Sequence, residues 1–171
     1  MVKKKKGDEL ANIFQGKERA DAYDGLAGDD SISGMGGNDK LWGGDGNDGI
    51  LGGAGNDKIW GGQGFDRISG DGGKDTLWGG TETDAFIFTV GTKYFNGSDK
   101  DIIKDIVTSG EQMDDIQIMS LDGRIDSYAD IRKLAKQSGD DVLIDFGHGD
   151  VLILENIKVK HLSAELFMYE G

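Results

Sequence analysis

The sequence predicts a solenoid of short glycine-turned units, followed by a small α+β flank, and three observations carry that reading. A nine-residue phase runs from Gly7 to about Ile87; each unit combines a glycine-rich turn, an aspartate and a large apolar side chain; and the phase stops after Ile87. A fixed short period marks stacked supersecondary units, each able to bury its apolar side chain only against its neighbours. The chain divides into 1–6, a basic start expected to be disordered; 7–87, the repeat block; and 88–171, the flank.

Weak copies open the array, GDELANIFQ from Gly7 and GKERADAYD from Gly16. Six clear copies follow: GLAGDDSIS from Gly25, GMGGNDKLW from Gly34, GGDGNDGIL from Gly43, GGAGNDKIW from Gly52, GGQGFDRIS from Gly61 and GDGGKDTLW from Gly70. GGTETDAFI from Gly79 closes it, and the flanking copies lose the inner glycine while keeping phase, as terminal capping repeats do.

The sixth position is aspartate in eight successive units, Asp21, Asp30, Asp39, Asp48, Asp57, Asp66, Asp75 and Asp84. The eighth is always apolar: Tyr23, Ile32, Leu41, Ile50, Ile59, Ile68, Leu77 and Phe86. Glycine in the turn permits positive φ and lets backbone carbonyls converge. Carboxylate and carbonyl oxygens meeting at one point suit calcium, which takes six to eight hard oxygens; magnesium, with its tight octahedron and retained water, fits poorly. The candidate ligands are the eight aspartates with the turn residues Gly25, Ala27, Gly28, Gly34, Gly36, Gly37, Gly43, Gly44, Asp45, Gly46, Gly52, Gly53, Ala54, Gly55, Gly61, Gly62, Gln63, Gly64, Gly70, Gly72, Gly73, Gly79 and Gly80. Phosphate-loop and EF-hand readings of the same glycines fail, because neither the strand and helix of the first nor the spaced ligands and terminal glutamate of the second are present.

These units resemble the calcium-binding repeat of RTX proteins, G-G-x-G-x-D-x-U-x with U a large apolar residue. The resemblance implies an all-β fold, a right-handed parallel β-roll in which two nonapeptides make one 18-residue coil, with turns on alternate edges, three-residue strands between them, and calcium between turns one coil apart. The same-edge pairs are then Asp21 with Asp39, Asp39 with Asp57 and Asp57 with Asp75, and opposite them Asp30 with Asp48, Asp48 with Asp66 and Asp66 with Asp84. That pairing implies about six ions. Arg19 and Glu82 replace the fourth-position glycine in the units of Asp21 and Asp84.

Charge supports a folding role for the metal. The formal net charge is −13, from 32 acidic and 19 basic residues, and the block offers one core side chain per nine residues. That is too little apolar burial to offset the ordering of so much glycine, so the block is expected to be disordered without calcium and to fold on binding it.

Trp42, Trp60 and Trp78 recur at the ninth position, 18 residues apart, so a two-turn coil stacks them on one sheet beside Lys40 and Lys58. Such a ladder could bind a polysaccharide or cell surface by stacking, in an adhesion module; the alternative is packing under the flank or in a dimer contact.

In the flank, Asp101 to Val107 and Asp114 to Met119 read as strands joined by a turn at Ser109-Gly110. Ser127 to Gln137 reads as an amphipathic helix stopped by Ser138-Gly139. A hairpin follows, Asp141 to Phe146 with Asp150 to Leu154, and Ser163 is expected to cap a helical turn ending in Leu166 to Tyr169. The order resembles the C-terminal flank of RTX proteins. That resemblance implies a cap on the roll and an uncleaved signal for the type I secretion machinery at Glu165, Leu166, Phe167, Met168 and Tyr169.

There is no signal-peptide-like apolar start, no membrane-length apolar stretch and no cysteine, all expected of a secreted, extracellular bacterial protein stabilised by metal rather than disulfides. The acidic balance argues against nucleic acid despite Lys3 to Lys6. With only His148 and His161 and no zinc helix or nucleophile motif, the chain is not expected to be an enzyme.

Overall fold

A computed structural model describes residues 3–91, 99–121 and 123–170. The strands are β1 (Lys5–Lys6), β2 (Ile13–Glu18), β3 (Ala22–Ala27), β4 (Ser31–Gly36), β5 (Lys40–Asp45), β6 (Gly49–Gly55), β7 (Lys58–Gln63), β8 (Arg67–Gly73), β9 (Thr76–Thr81) and β10 (Ala85–Val90). The flank adds β11 (Lys100–Ile103), β12 (Asp115–Ser120), helix α1 (Tyr128–Leu134), β13 (Ala135–Ser138), β14 (Asp141–Gly147), β15 (Asp150–Leu154) and β16 (Phe167–Glu170).

Successive strands alternate between two sheets, ordered β1-β3-β5-β7-β9-β11-β15-β14-β13 and β16-β12-β10-β8-β6-β4-β2. Pairing is parallel throughout the repeat block, so the chain winds as a β-roll of about five turns. One coil is two nonapeptides: Leu41 pairs with Ile59 and Ile59 with Leu77 in one sheet, Ile32 with Ile50 and Ile50 with Ile68 in the other. The strands run to six or seven residues rather than three, because pairing continues into the turns, as where Gly44 meets Gly62 and Gly62 meets Gly80.

The pleat sends the eighth position inward and its neighbours outward. Two apolar columns result, one running Phe14, Ile32, Ile50, Ile68 and Phe86, the other Tyr23, Leu41, Ile59 and Leu77. At the N-terminal end the rings of Phe14 and Tyr23 stack with centroids 4.2 Å apart, and the Lys5 ammonium lies 4.7 Å from the Phe14 ring.

That lysine belongs to the segment expected to be disordered, which instead adds a short strand. β1 pairs with β3, held by Lys4 to Asp24 at 2.9 Å and Lys5 to Asp21 at 3.5 Å. The basic run meets the carboxylates of the first coil and covers its edge with charge.

The flank prolongs the roll. β11 and β12 do not form the expected pair; they lie in opposite sheets, β11 on β9 and β12 on β10. Ile103 and Ile116 enter the two columns behind Leu77 and Phe86, and Leu154 and Phe167 follow them. Continuation of the columns outweighs local pairing, since it buries both isoleucines completely or nearly so.

Two other expectations change for similar reasons. The helix ends at Leu134, and Ala135–Ser138 becomes β13, antiparallel to β14, with Gly139 at φ 65° making a hairpin turn rather than a helix stop. Pairing there covers the edge of β14. At the C-terminus Ser163 precedes a 3-10 turn, Ala164–Leu166, without a side-chain cap bond, and Phe167 onward forms a strand parallel to β12 rather than helix.

Candidate metal centre

Asp57 shows how each turn is built. It is 1 % exposed; its Oδ1 accepts a 2.7 Å hydrogen bond from the N–H of Asp39, one coil earlier, and its own N–H donates at 2.7 Å to Asp75 Oδ1. The same bond links Asp21 to Asp39 on this edge. On the other edge it links Asp30 to Asp48, Asp48 to Asp66 and Asp66 to Asp84. All six expected pairs therefore stand as neighbours one coil apart.

The second oxygen has nothing to bind. Oδ2 of Asp30, Asp39, Asp48, Asp57, Asp66 and Asp75 is buried without a hydrogen-bond partner, three on each edge. A buried ionised carboxylate oxygen in that state is costly unless a cation meets it. Asp21 differs, because its Oδ2 accepts from the Lys17 N–H at 2.9 Å.

The space in front of each free oxygen explains the first-position glycine. A Cβ on Gly52 would stand 2.5 Å from Asp57 Oδ2 and 2.7 Å from the Gly70 carbonyl oxygen of the next coil. Gly25, Gly34, Gly43 and Gly61 face the equivalent carboxylate and carbonyl pair. A gap lined by an unpartnered carboxylate and a carbonyl, and kept open by the lack of a side chain, fits a hard cation of calcium's kind. The second turn position takes positive φ, 133° at Gly62, and Leu26, Met35 and Asp71 are held there at 80°, 73° and 63°, a conformation costly for residues with a Cβ.

Electrostatics points the same way. Burial, reinforced by the like charge one coil away, pushes Asp39, Asp48 and Asp57 up to about 6 and Asp66 to about 7. The backbone N–H donors act in the opposite sense without cancelling it. Asp84 rises to about 8 from burial and the charges of Asp66, Asp114 and Asp105. A positive ion would remove the like-charge repulsion.

Several contributors escaped the sequence reading. Asp29, Asn38, Asn47 and Asn56, at the fifth position, each accept at Oδ1 from a backbone N–H one coil later, at 2.8 to 3.0 Å. Their recurrence in phase was the available signal. Asp101 and Asp114 receive the N–H groups of Asp75 and Asp84, continuing both series into the flank, where 26- and 30-residue spacings hide the phase.

The tryptophans form the expected ladder. Trp42 and Trp60 stack at 4.8 Å and 4°, Trp60 and Trp78 at 4.7 Å and 9°, beside the exposed Lys40 and Lys58. Lys4 Nζ lies 3.8 Å from the Trp42 ring centroid, and the row continues into Asp24 on one side. Ring faces are thus turned toward one another and, at Trp42, toward Lys4. In the C-terminal segment Leu166 and Phe167 are buried, Glu165 and Met168 exposed, and Tyr169 half-buried.

The geometry defines a parallel β-roll with carboxylate-bearing glycine turns. Residues 15–50 and 51–85 match the family of the RTX calcium-binding nonapeptide repeat, and this segment is a block of such repeats, a structural calcium-binding module. A search of curated proteins finds no match. Among solved structures, the extracellular lipase LipA of Serratia marcescens is similar over 98% of this chain at 15% identity and a TM-score of 0.53. The chain spans 40% of that lipase, and the likeness concerns the fold alone. The AlgE6R3 subunit of the Azotobacter vinelandii mannuronan C5-epimerase is 24% identical over 95% of this chain and 80% of its own, at a TM-score of 0.45.

Proposed function

We propose that the chain is a calcium-switched folding module, disordered in its repeat block without the cation and folded by it outside the cell, in support of type I export and stability of a secreted bacterial protein. One observation carries the reading: six buried carboxylate oxygens, in register on two edges, have no partner of their own. Calcium supplies the missing positive charge. The residues that would hold it are the aspartates from Asp30 to Asp75, with the first-position carbonyls of the following coil, such as Gly43 and Gly70. About six divalent ions would nearly cancel the formal charge of −13. Until they bind, repulsion and the small core keep the block open.

Export fits the same switch. Leu166 and Phe167, in the segment read as the secretion signal, are buried in the folded chain, so they are legible to a transporter only before folding. Calcium is scarce inside a bacterium and plentiful outside, which separates the two states. No described helix is long and apolar enough to cross a membrane. Far-UV circular dichroism of the whole chain during calcium and magnesium titrations tests the proposal. Growth of β signal with calcium at concentrations where magnesium has no effect is expected; a spectrum indifferent to millimolar calcium contradicts it.

A further inference from the structure

On the outer face of the sheet that holds the tryptophans, one column of side chains runs unbroken from the block through the flank. Lys40, Lys58, Thr76, Ile102, Ile153 and Leu143 are register partners in turn, and Lys136 follows Leu143. Beside it lies the shorter column of Asp24, Trp42, Trp60 and Trp78. The tryptophans, isoleucines and leucine of this face are half-buried and lie outside the core, and Lys40, Lys58 and Lys136 are exposed. Strands spaced by about 4.8 Å make the longer column roughly 30 Å from β5 to β13.

Two further properties set this face apart. It is flat: successive tryptophan rings tilt by only 4° and 9°, against about 20–25° per strand in an ordinarily twisted sheet. It is also cationic, on a chain of formal charge −13. The longer column holds no carboxylate, and Lys40 and Lys58 form no ion pair with a described residue. In the shorter column Asp24 is engaged by Lys4 at 2.9 Å. The matching column of the opposite sheet, Ser33, Leu51, Ser69, Ile87 and Gln117, has neither lysine nor tryptophan.

We infer that this face docks the folded chain on the surface of an anionic lipid bilayer. Lysines draw the protein to acidic headgroups, tryptophans combine an apolar body with a polar N–H suited to the headgroup level, and Ile102, Ile153 and Leu143 meet the acyl boundary beneath. Flatness over roughly 30 Å suits a planar partner. A second copy of the same face would set lysine against lysine. An acidic polysaccharide strand would match the row of Lys40 and Lys58 but leave the apolar part of the column unused. The inference goes beyond the proposed function and needs only the folded chain.

The test is co-sedimentation of the whole chain, at one fixed calcium concentration, with vesicles of phosphatidylcholine alone and of phosphatidylcholine mixed with phosphatidylglycerol. Dichroism on the same samples reports folding. Binding to the mixed vesicles only is expected, weakened by added salt, with tryptophan fluorescence quenched when the lipids are brominated. The double variant Lys40→Gln, Lys58→Gln, altered only at exposed side chains, is expected to stay folded and to bind roughly thirtyfold more weakly. A folded natural chain that leaves the mixed vesicles unbound overturns the inference. So does undiminished binding of the double variant, which would mean calcium bridging acidic turns to lipid, and so does retention by polygalacturonate without vesicle binding, which would mean a glycan partner. Each of these leaves the proposed function standing. A chain equally folded in calcium and in chelator contradicts the proposed function alone, and a chain unfolded in calcium overturns both.

Discussion

The repeat block and the flank are stacked in the same two sheets, yet they are stabilised by different means. In the block, one side chain in nine enters the core, and six carboxylate oxygens are buried without partners. In the flank, Val142, Ile144, Leu152, Leu154, Ile131 and Leu166 are all buried within a short stretch, and carboxylates such as Asp114 have both oxygens bonded to N–H groups. The flank follows ordinary core packing. The block is a frame whose gaps fit a cation, and on the function proposed above the chain is conditional on metal over half its length only.

The strongest way to break that contrast is to remove an inner carboxylate. Asp57→Ala deletes a free Oδ2, strips the Asp39 N–H of its acceptor and leaves a buried donor unpaired, an effect of about 1–3 kcal/mol before any loss of ion binding. A clear rise in the calcium midpoint and a lower ion count, by dichroism and calorimetry, are expected; Asp145→Ala, on an exposed flank carboxylate, should change neither.

Core truncation sharpens the comparison next. Ile59→Ala and Ile144→Ala both delete fully buried side chains, at about 2–5 kcal/mol each. In urea at saturating calcium both lower the midpoint. At limiting calcium Ile59→Ala alone is expected to shift the calcium requirement strongly, because the block buries only about one large apolar side chain per nine residues.

A smaller effect follows from pH. The metal-free folded block holds Asp39, Asp48 and Asp57 at about 6, Asp66 at about 7 and Asp84 at about 8, against an unfolded value near 3.8. Between these limits the folded state binds more protons, so its stability is greatest below about pH 4 and falls as pH rises to about 8. Dichroism in a chelator should therefore show β structure gained on acidification. Calcium-loaded samples should respond the other way, since protons compete for the same oxygens.

Much of the block was legible in the sequence because its rules are local. The phase places Asp57 under Asp39 and Trp60 under Trp42 without knowledge of anything distant. The flank was less legible because its register is set by what it stacks on. Ile103 and Ile116 look like members of one hairpin until the columns ending in Leu77 and Phe86 claim one for each sheet. Ala135–Ser138 continues an amphipathic helical pattern, and only the open edge of β14 turns it into a strand. Lys5 and Lys6 looked like a solvated tail because their partners, Asp21 and Asp24, lie a coil away. Asp101 and Asp114 were missed as members of the aspartate series because longer connections interrupt the phase, while the hydrogen bonds that define the series persist.

Hydrogen exchange read by mass spectrometry, with and without calcium, addresses the central claim peptide by peptide. The account predicts that amides from Gly25 to Gly80 exchange as in an unfolded chain under chelation, and that calcium protects them together, most strongly at the N–H groups of Asp39, Asp48, Asp57 and Asp66 that donate to carboxylates one coil on. Protection of those amides in the chelated chain, equal to that in calcium, would contradict it.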